Sequence, residues 1–323
     1  MFTQAVPSVR RRLAFLLAGN VLLLLAIRAL LSKGGSFLEV LARLGPDIAP
    51  VTLAGFALTG IIFTGAIDLS IASVLALSGT IFGCVVEQGA APSVAFAICV
   101  LSAWVLMAAN GLLVSGLNIP AIIITLAGLP FYRGLALILA DVAVPNFSGN
   151  ISVLDESYHA PGKEFAGVIL VLGTILALVW EVFAKTPRLW LALGNSPEAC
   201  HLMGLRPKAI LRGAFFVGGL FFALAVLVYV TRVQAIEPAR MALGFELQVI
   251  AAVILGGTNI FGGEGCYLGT LLGAVFLYLI SQVLVYAGAN AYLQDAITGA
   301  IILIIIGTDC ALHRPAKLME ELA

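Results

Sequence analysis

One carboxylate stands alone in the stretch Thr64-Gly65-Ala66-Ile67-Asp68-Leu69-Ser70-Ile71-Ala72-Ser73. A long, almost unbroken apolar run precedes it, another follows, and no cation lies nearby in the chain. Three kinds of chemistry suit such an acid. Catalysis needs a second titratable group or a metal partner, and none is local. An ion relay is a common use of an acid inside a membrane, where an unpaired one costs roughly 2.5–3.5 kcal/mol. The third use is structural: a helix N-cap, with Asp68 accepting from the free amides of Ser70 or Ile71. The dipole of a helix start also favours an anion there. The cap is the preferred role, the relay the alternative, and catalysis has the least support.

A second stretch, Gly194 to Lys208, carries helix punctuation at both ends. Ser196 is a good N-cap, Pro197 suits the first helical position and Glu198 adds an acid to the first turn. Gly204 is a natural stop. This predicts a short helix of about seven residues between two longer apolar segments. A plain connector does not need punctuation at both ends, so a docking knob for a partner is the functional alternative.

Two further stretches interrupt apolar sequence. Residues 244–265 hold Gln248, Thr258, Asn259 and a set of glycines, but no GxxxxGK[ST] exists in the chain, so a phosphate cradle is disfavoured. Close packing or a bent segment along a pathway fits better. In 118–141, Thr125, Tyr132 and Arg133 break an apolar face; Arg133 either pairs with Asp141 or snorkels outward. The five cysteines form no CxxC pair and the three histidines form no HExxH, which leaves no metal site and no disulfide framework. No nucleophile–base pair supports an intramembrane enzyme.

The elements that must position these residues are membrane helices. Of 323 residues, 61% are hydrophobic and 11% charged, against roughly 25% charged in a soluble domain. Lipid is the natural solvent for such a chain. Lys+Arg and Asp+Glu are equal at 17 each, and no basic patch with interleaved aromatics supports a nucleic-acid partner. Crossing a bilayer core takes about 20 helical residues. Ten spans are expected, near 13–31, 47–67, 69–87, 92–115, 119–140, 165–184, 209–231, 245–258, 266–287 and 291–309, in a single all-α domain over 1–323. The first is read as an uncleaved span, because its apolar run exceeds a signal peptide's.

Orientation follows the bias of Lys and Arg in short loops. Arg10, Arg11, Arg12, Lys185, Arg188, Arg206, Lys208, Arg212, Arg314 and Lys317 collect on one side; Lys33, Arg43, Lys163, Arg232 and Arg240 collect on the other. Both termini and 185–208 are then cytoplasmic, and 141–164 is external. Ten spans allow two five-helix halves of opposite direction. Each half holds a polar break, "TGAIDLS" and "LGGTNIFGGEG", which suggests inverted repeats about a central path.

Taken together these stretches resemble the permease subunit of ABC importers for ribose and other simple sugars. That family typically carries G-G-I-D-L-S-V-G-S, and Gly65–Ser73 is similar to it. Its P-A-F-I-x-T-L element running to R-G resembles 120–134. Its G-x-N/S-P-E-A-A loop resembles Gly194 to Leu205, and its glycine-rich G-x-E-L-D to G-T stretch resembles 244–270. The resemblance covers roughly 47–310. Departures are Ala66 and Ala72 for glycines, Cys200 and His201 for Ala and Arg, and Gln248 for Asp.

The resemblance implies a translocation subunit of the bacterial inner membrane that is not itself an enzyme and binds no cofactor. ATP would be bound by two cytoplasmic ATP-binding cassette subunits. A second permease copy or paralogue and an extracytoplasmic solute-binding protein complete the machine. It further implies that Gly194, Asn195, Ser196, Pro197, Glu198, Ala199, His201 and Gly204 form the coupling helix seated in the ATPase. Thr125, Gln248, Thr258 and Asn259 are the expected pathway groups, since a neutral sugar asks for hydrogen bonds rather than ion pairs. The alternatives are a nucleoside or branched-chain amino acid cargo, or an ion-coupled transporter that uses Asp68.

Overall fold

The computed structural model describes residues 7–31 and 36–290, apart from 145, 154 and 159–164, with scattered positions between 293 and 307. The expected span at 291–309 falls largely outside them, as do Lys33, Lys163, Arg314 and Lys317. In chain order the elements are α1 (Pro7–Leu31), α2 (Phe37–Phe63), α3 (Ile71–Glu87), α4 (Pro92–Leu117), α5 (Ala121–Ala143), β1 (Ile151–Ser152), α6 (Ala166–Phe183), α7 (Thr186–Asn195), α8 (Pro197–Leu202), α9 (Pro207–Val230), β2 (Ala235–Ile236), α10 (Phe245–Leu255) and α11 (Tyr267–Tyr286).

Among the described residues seven helices are long and apolar enough to cross a membrane: α1, α2, α4, α5, α6, α9 and α11. The other two expected spans in this region are shorter, α3 with 17 residues and α10 with 11. Each adjoins a polar break, and the break takes residues that apolarity alone had assigned to the span.

α2 lies at the centre, packed against α6, α9, α10 and α11, and is enclosed over most of its length. From Ile48 to Phe63 nearly every residue is buried, so that stretch has no solvent face, whereas Glu39 and Arg43 pair on the exposed first turns of the helix. It starts ten residues before the expected 47 and runs through Pro46 and Pro50. Pro50 has no N–H to give the carbonyl one turn earlier, which is that of Pro46. The Arg232 guanidinium donates to that freed oxygen and to the Asp47 carboxylate. A cation from a distant loop thus completes the helix that two prolines interrupt.

Small residues bring the helices close. A Cβ on Gly218 of α9 would stand 3.0 Å from the Ala57 oxygen of α2, and one on Gly111 of α4 would stand 2.5 Å from Phe215 Cβ. In lipid, with little hydrophobic drive between helices, such close packing supplies much of the association energy. Leu, Ile and Val side chains of α1, α5 and α6 face outward, where acyl chains solvate them.

The two ends of the bundle differ. At one end β1 and β2 pair antiparallel, Ile151 opposite Ile236 and Ser152 opposite Ala235, which joins the 144–165 and 231–244 connections into one ribbon. Ile151 and Ile236 rest on Gly83 near the end of α3, and the Tyr158 hydroxyl donates to the Ala90 carbonyl. Arg133 donates to the carbonyls of Pro238 (2.9 Å) and Met241 (2.7 Å) at this end. These oxygens belong to the 231–244 connection, and the guanidinium carried on α5 meets them rather than the expected partner Asp141.

The opposite end holds the start of α1, both polar breaks and α7–α8. The Arg12 side chain reaches Gly257 there. Inverted halves place equivalent loops at opposite ends of a bundle, so two breaks at one end are not repeat-equivalents. The breaks therefore lend no support to an inverted repeat.

Candidate functional site

The first break spans 64–70. Gly65 turns the chain with φ +80°, and Gly65 N donates to the Ile62 carbonyl at 2.8 Å. Asp68 is fully buried. Its Oδ1 accepts from Ser70 N at 2.8 Å and Ser70 Oγ at 2.6 Å, and its Oδ2 accepts from Asn110 Nδ2 at 3.2 Å. Asn110 Nδ2 also donates to Ser70 Oγ at 2.8 Å, and the Tyr132 hydroxyl donates to Asn110 Oδ1 at 2.6 Å. The Asp68 carboxylate fixes the amide, because the opposite orientation would point its oxygen at an acceptor-only group.

The network joins α3, α4 and α5 around one acid. Buried charge is tolerable when its lone pairs are satisfied. The expected N-cap differs in one respect. Ser70, not Asp68, occupies the cap position of α3, with φ −80° and ψ −7° and no side-chain cap bond. Asp68 lies two residues earlier and closes an Asx turn on the Ser70 amide, a local bond that competes with helix and so delays its start.

The second break spans 256–266. Asn259 folds it: Asn259 Oδ1 accepts from Phe261 N at 3.0 Å, and its backbone N–H and C=O pair with Glu264 O (3.0 Å) and Gly262 N (2.9 Å). Gly257, Gly262, Gly263 and Gly265 all have positive φ. The two breaks meet, with Gly263 N donating to Phe63 O at 3.1 Å. A Cβ on Gly262 would lie 2.6 Å from Gly65 N, so only glycine allows this approach.

α7 and α8 sit on the junction. α7 buries Pro187, Trp190 and Leu193 against the bundle and ends at Gly194-Asn195. A Cβ on Gly194 would stand 2.1 Å from Phe63 O and 2.5 Å from Gly263 N. Asn195 Nδ2 donates to Gly263 O at 3.0 Å and to Leu191 O at 2.9 Å. The chain then reverses into α8. Ser196 Oγ accepts from Ala199 N at 3.1 Å, Pro197 opens the helix, and Gly204 at φ +77° stops it. Cys200 is buried beneath, whereas Glu198, His201, Leu202 (87% exposed) and Met203 (66% exposed) project away. A six-residue helix that presents apolar side chains outside the bundle, on a base tied to both breaks, can take up a load and pass displacement to α2, α3, α10 and α11.

The remaining expected site residues divide. Thr125 is buried, and its Oγ1 donates to the Ile67 carbonyl of the first break at 3.1 Å. Thr258 is buried within the second break. Thr125 and Asn259 hold the breaks, whereas the buried Thr258 Oγ1 makes no hydrogen bond with a described residue. Gln248 stands elsewhere, on the wall of a cavity toward the ribbon end. Two features escaped the sequence reading. α7 was read as part of a connector, although Thr186-Pro187 marks a helix start. Glu181, an acid in the apolar run of α6, accepts from Tyr267 N at 3.3 Å at the start of α11. The signal was a carboxylate inside an apolar run, although here Lys185 follows four residues on.

A family model described as branched-chain amino acid transport system / permease component matches residues 41–306. The chain belongs to this permease family. The autoinducer 2 import system permease protein LsrC of Photorhabdus laumondii is 33% identical over 272 residues, covering 81% of this chain and 80% of that protein. The ribose import permease protein RbsC of Bacillus subtilis is 30% identical over 281 residues, 85% of this chain and 86% of its own. LsrC of Escherichia coli strain K12 is 29% identical over 311 residues, 94% and 89% respectively. Among solved structures, an inward-facing metal-chelate type ABC transporter aligns with TM-score 0.54 and 15% identity, over 91% of this chain and 99% of that one. The likeness in fold extends over nearly the whole chain. This is the family to which the four sequence motifs pointed, and the protein is a multi-pass permease of the inner membrane.

Proposed function

We propose that this permease is the translocation subunit of an ATP-driven ABC importer that carries a sugar or sugar-like solute. The single observation behind it is the α7–α8 seat: an exposed, capped helix whose base, at Gly194 and Asn195, is bonded to the junction of both breaks. The names of the relatives, import permeases for ribose and autoinducer 2, support the cargo class.

In this reading 185–208 faces the cytoplasm and meets one of two ATP-binding cassette subunits, which carry out the hydrolysis. Both termini are cytoplasmic, and ten spans include 291–309. The cationic start of α1 and the cations around α7–α8 at one end favour that orientation. A solute-binding protein docks on the ribbon formed by 141–164 and 232–244, and a second permease copy completes the membrane part. Closure of the ATPase pair displaces α8, and Asn195 pulls on Gly263 while Gly194 bears on Phe63. The breaks are where helices bend with least loss of hydrogen bonds, so the displacement changes the tilt of α2, α3, α10 and α11 and alternates access.

Substituting Glu198→Arg tests the seat. Uptake in proteoliposomes falls to near background while the subunit stays folded and assembled, because the Glu198 side chain is exposed and makes no hydrogen bond or ion pair with another described residue. Normal uptake with normal ATP turnover defeats the proposal. The description of the family model favours a second cargo, a branched-chain amino acid; competition between ribose and leucine separates the two. An ion-coupled role for Asp68 is weaker, since its oxygens are committed to Ser70 and Asn110.

A further inference from the structure

A cavity of about 620 Å³ lies between α2, α10 and α11 toward the ribbon end, within the range of roughly 300–1,000 Å³ typical of small-molecule sites. Its walls are apolar at Ile48, Val51, Leu247 and Leu277, with polar groups at Asp47, Gln248, Tyr278, Ser281 and Gln294 among the described residues. The hydrogen-bonding capacity left on those groups defines what fits.

Asp47 is spent. One oxygen accepts from the Arg232 guanidinium and the other from the Tyr278 hydroxyl at 3.1 Å. The Tyr278 proton is thereby committed, which leaves its oxygen as an acceptor. Ser281 Oγ donates to the Leu277 carbonyl at 3.1 Å and likewise keeps acceptor capacity. The Gln248 side chain is exposed and makes no hydrogen bond with another described residue, so its two N–H donors and one C=O acceptor remain free. Gln294 Nε2 donates to the Ala289 carbonyl at 3.0 Å and keeps its second N–H and its amide oxygen. Among the described residues the set therefore offers hydroxyl and amide oxygens as acceptors and amide N–H groups as donors, and no unpaired charge. The chain also contains no Lys, Arg or His anywhere from 241 to 312, so α10 and α11 bring no cationic side chain to a cargo carboxylate. Hydroxyl groups, which donate and accept at one atom, match this wall.

We infer that this cavity is a binding site for a neutral polyhydroxylated solute, contacted by Gln248, Ser281 and Tyr278, with Asp47 as the residue that positions the Tyr278 hydroxyl. The inference rests on the importer reading above and adds the contacts and the selection against charge.

The test uses the complete transporter, with its ATP-binding subunits and binding protein, in proteoliposomes with labelled D-ribose and L-leucine as probes. The readout is solute moved per ATP hydrolysed. Gln248→Leu and Ser281→Ala each lower the ribose figure, by about tenfold for the loss of one good hydrogen bond. Ser281→Ala stands on its own if Gln248→Leu fails to assemble. Wild-type ribose transport per ATP in both variants overturns the site while leaving the importer reading intact. A wild-type transporter that moves leucine and not ribose overturns the cargo class and the site together.

Discussion

The break after α2 is held by side chains, whereas the break after α10 is held by backbone. In the first, Asp68, Ser70, Asn110 and Tyr132 form a closed set of hydrogen bonds drawn from α3, α4 and α5. In the second, four glycines at positive φ and the Asn259 turn shape the chain, and close approach to Phe63 and Gly65 locks it in place. Both interrupt a buried apolar region, where every freed N–H and C=O needs a partner. A side-chain network satisfies them at a distance and ties the break to its neighbours. A glycine turn satisfies them locally and leaves room for another backbone, here that of α7. The first break thus acts as an anchor and the second as a seat.

The difference is open to test by substitution. The largest effect is expected at the seat. Gly262→Ala puts a methyl 2.6 Å from Gly65 N at φ +90°, and neither backbone can yield without parting the breaks. A loss of about 3 kcal/mol or more follows, read as a lower unfolding temperature in detergent. Unchanged stability would mean that the breaks are not locked together.

At the anchor, Asp68→Ala strands the Ser70 amide and the Asn110 amide in a dry site and costs about 2–3 kcal/mol. Asp68→Asn keeps an acceptor for Ser70 and costs about 1 kcal/mol. If uptake survives Asp68→Asn in proportion to stability, the carboxylate is structural. Abolished uptake at full stability would instead reveal a charge-dependent role. Tyr132→Phe has a similarly small effect. It removes one bond to Asn110 and lowers stability by about 1 kcal/mol, with Asp68 still held by Ser70. A larger loss would show that the amide orientation of Asn110, rather than the acid, governs the anchor.

Much of this was legible in the chain itself. The spans lie where apolar runs of the needed length occur, because the bilayer sets length and apolarity together. α8 was legible in detail, since Ser196, Pro197 and Gly204 act within a few residues of the backbone they cap. What was not legible was long-range. Arg133 pairs with carbonyls 105 and 108 residues away instead of with Asp141. Pro46 and Pro50 read as the start of a span, yet Arg232, from 186 residues on, lets the helix continue through them. Glu181 passed unnoticed because its partner is a backbone amide 86 residues distant.

The sequence by itself determined the membrane character, the long apolar helices among the described residues, the two glycine-punctuated breaks and the capped helix between long spans. Each follows from composition or from bonds spanning a few residues. Tertiary structure alone decided that the breaks lie at one end and touch, that Gly194 and Asn195 rest on their junction, and that Asp68 is met by Asn110 and Tyr132. Those contacts join residues 42 and 68 positions apart. A pattern along one helix states which face is apolar, but the neighbour it meets is chosen by the packing of the whole bundle. Asp68 shows the division plainly: its bond to Ser70 was written in the local chain, and its burial was settled by helices that arrive later.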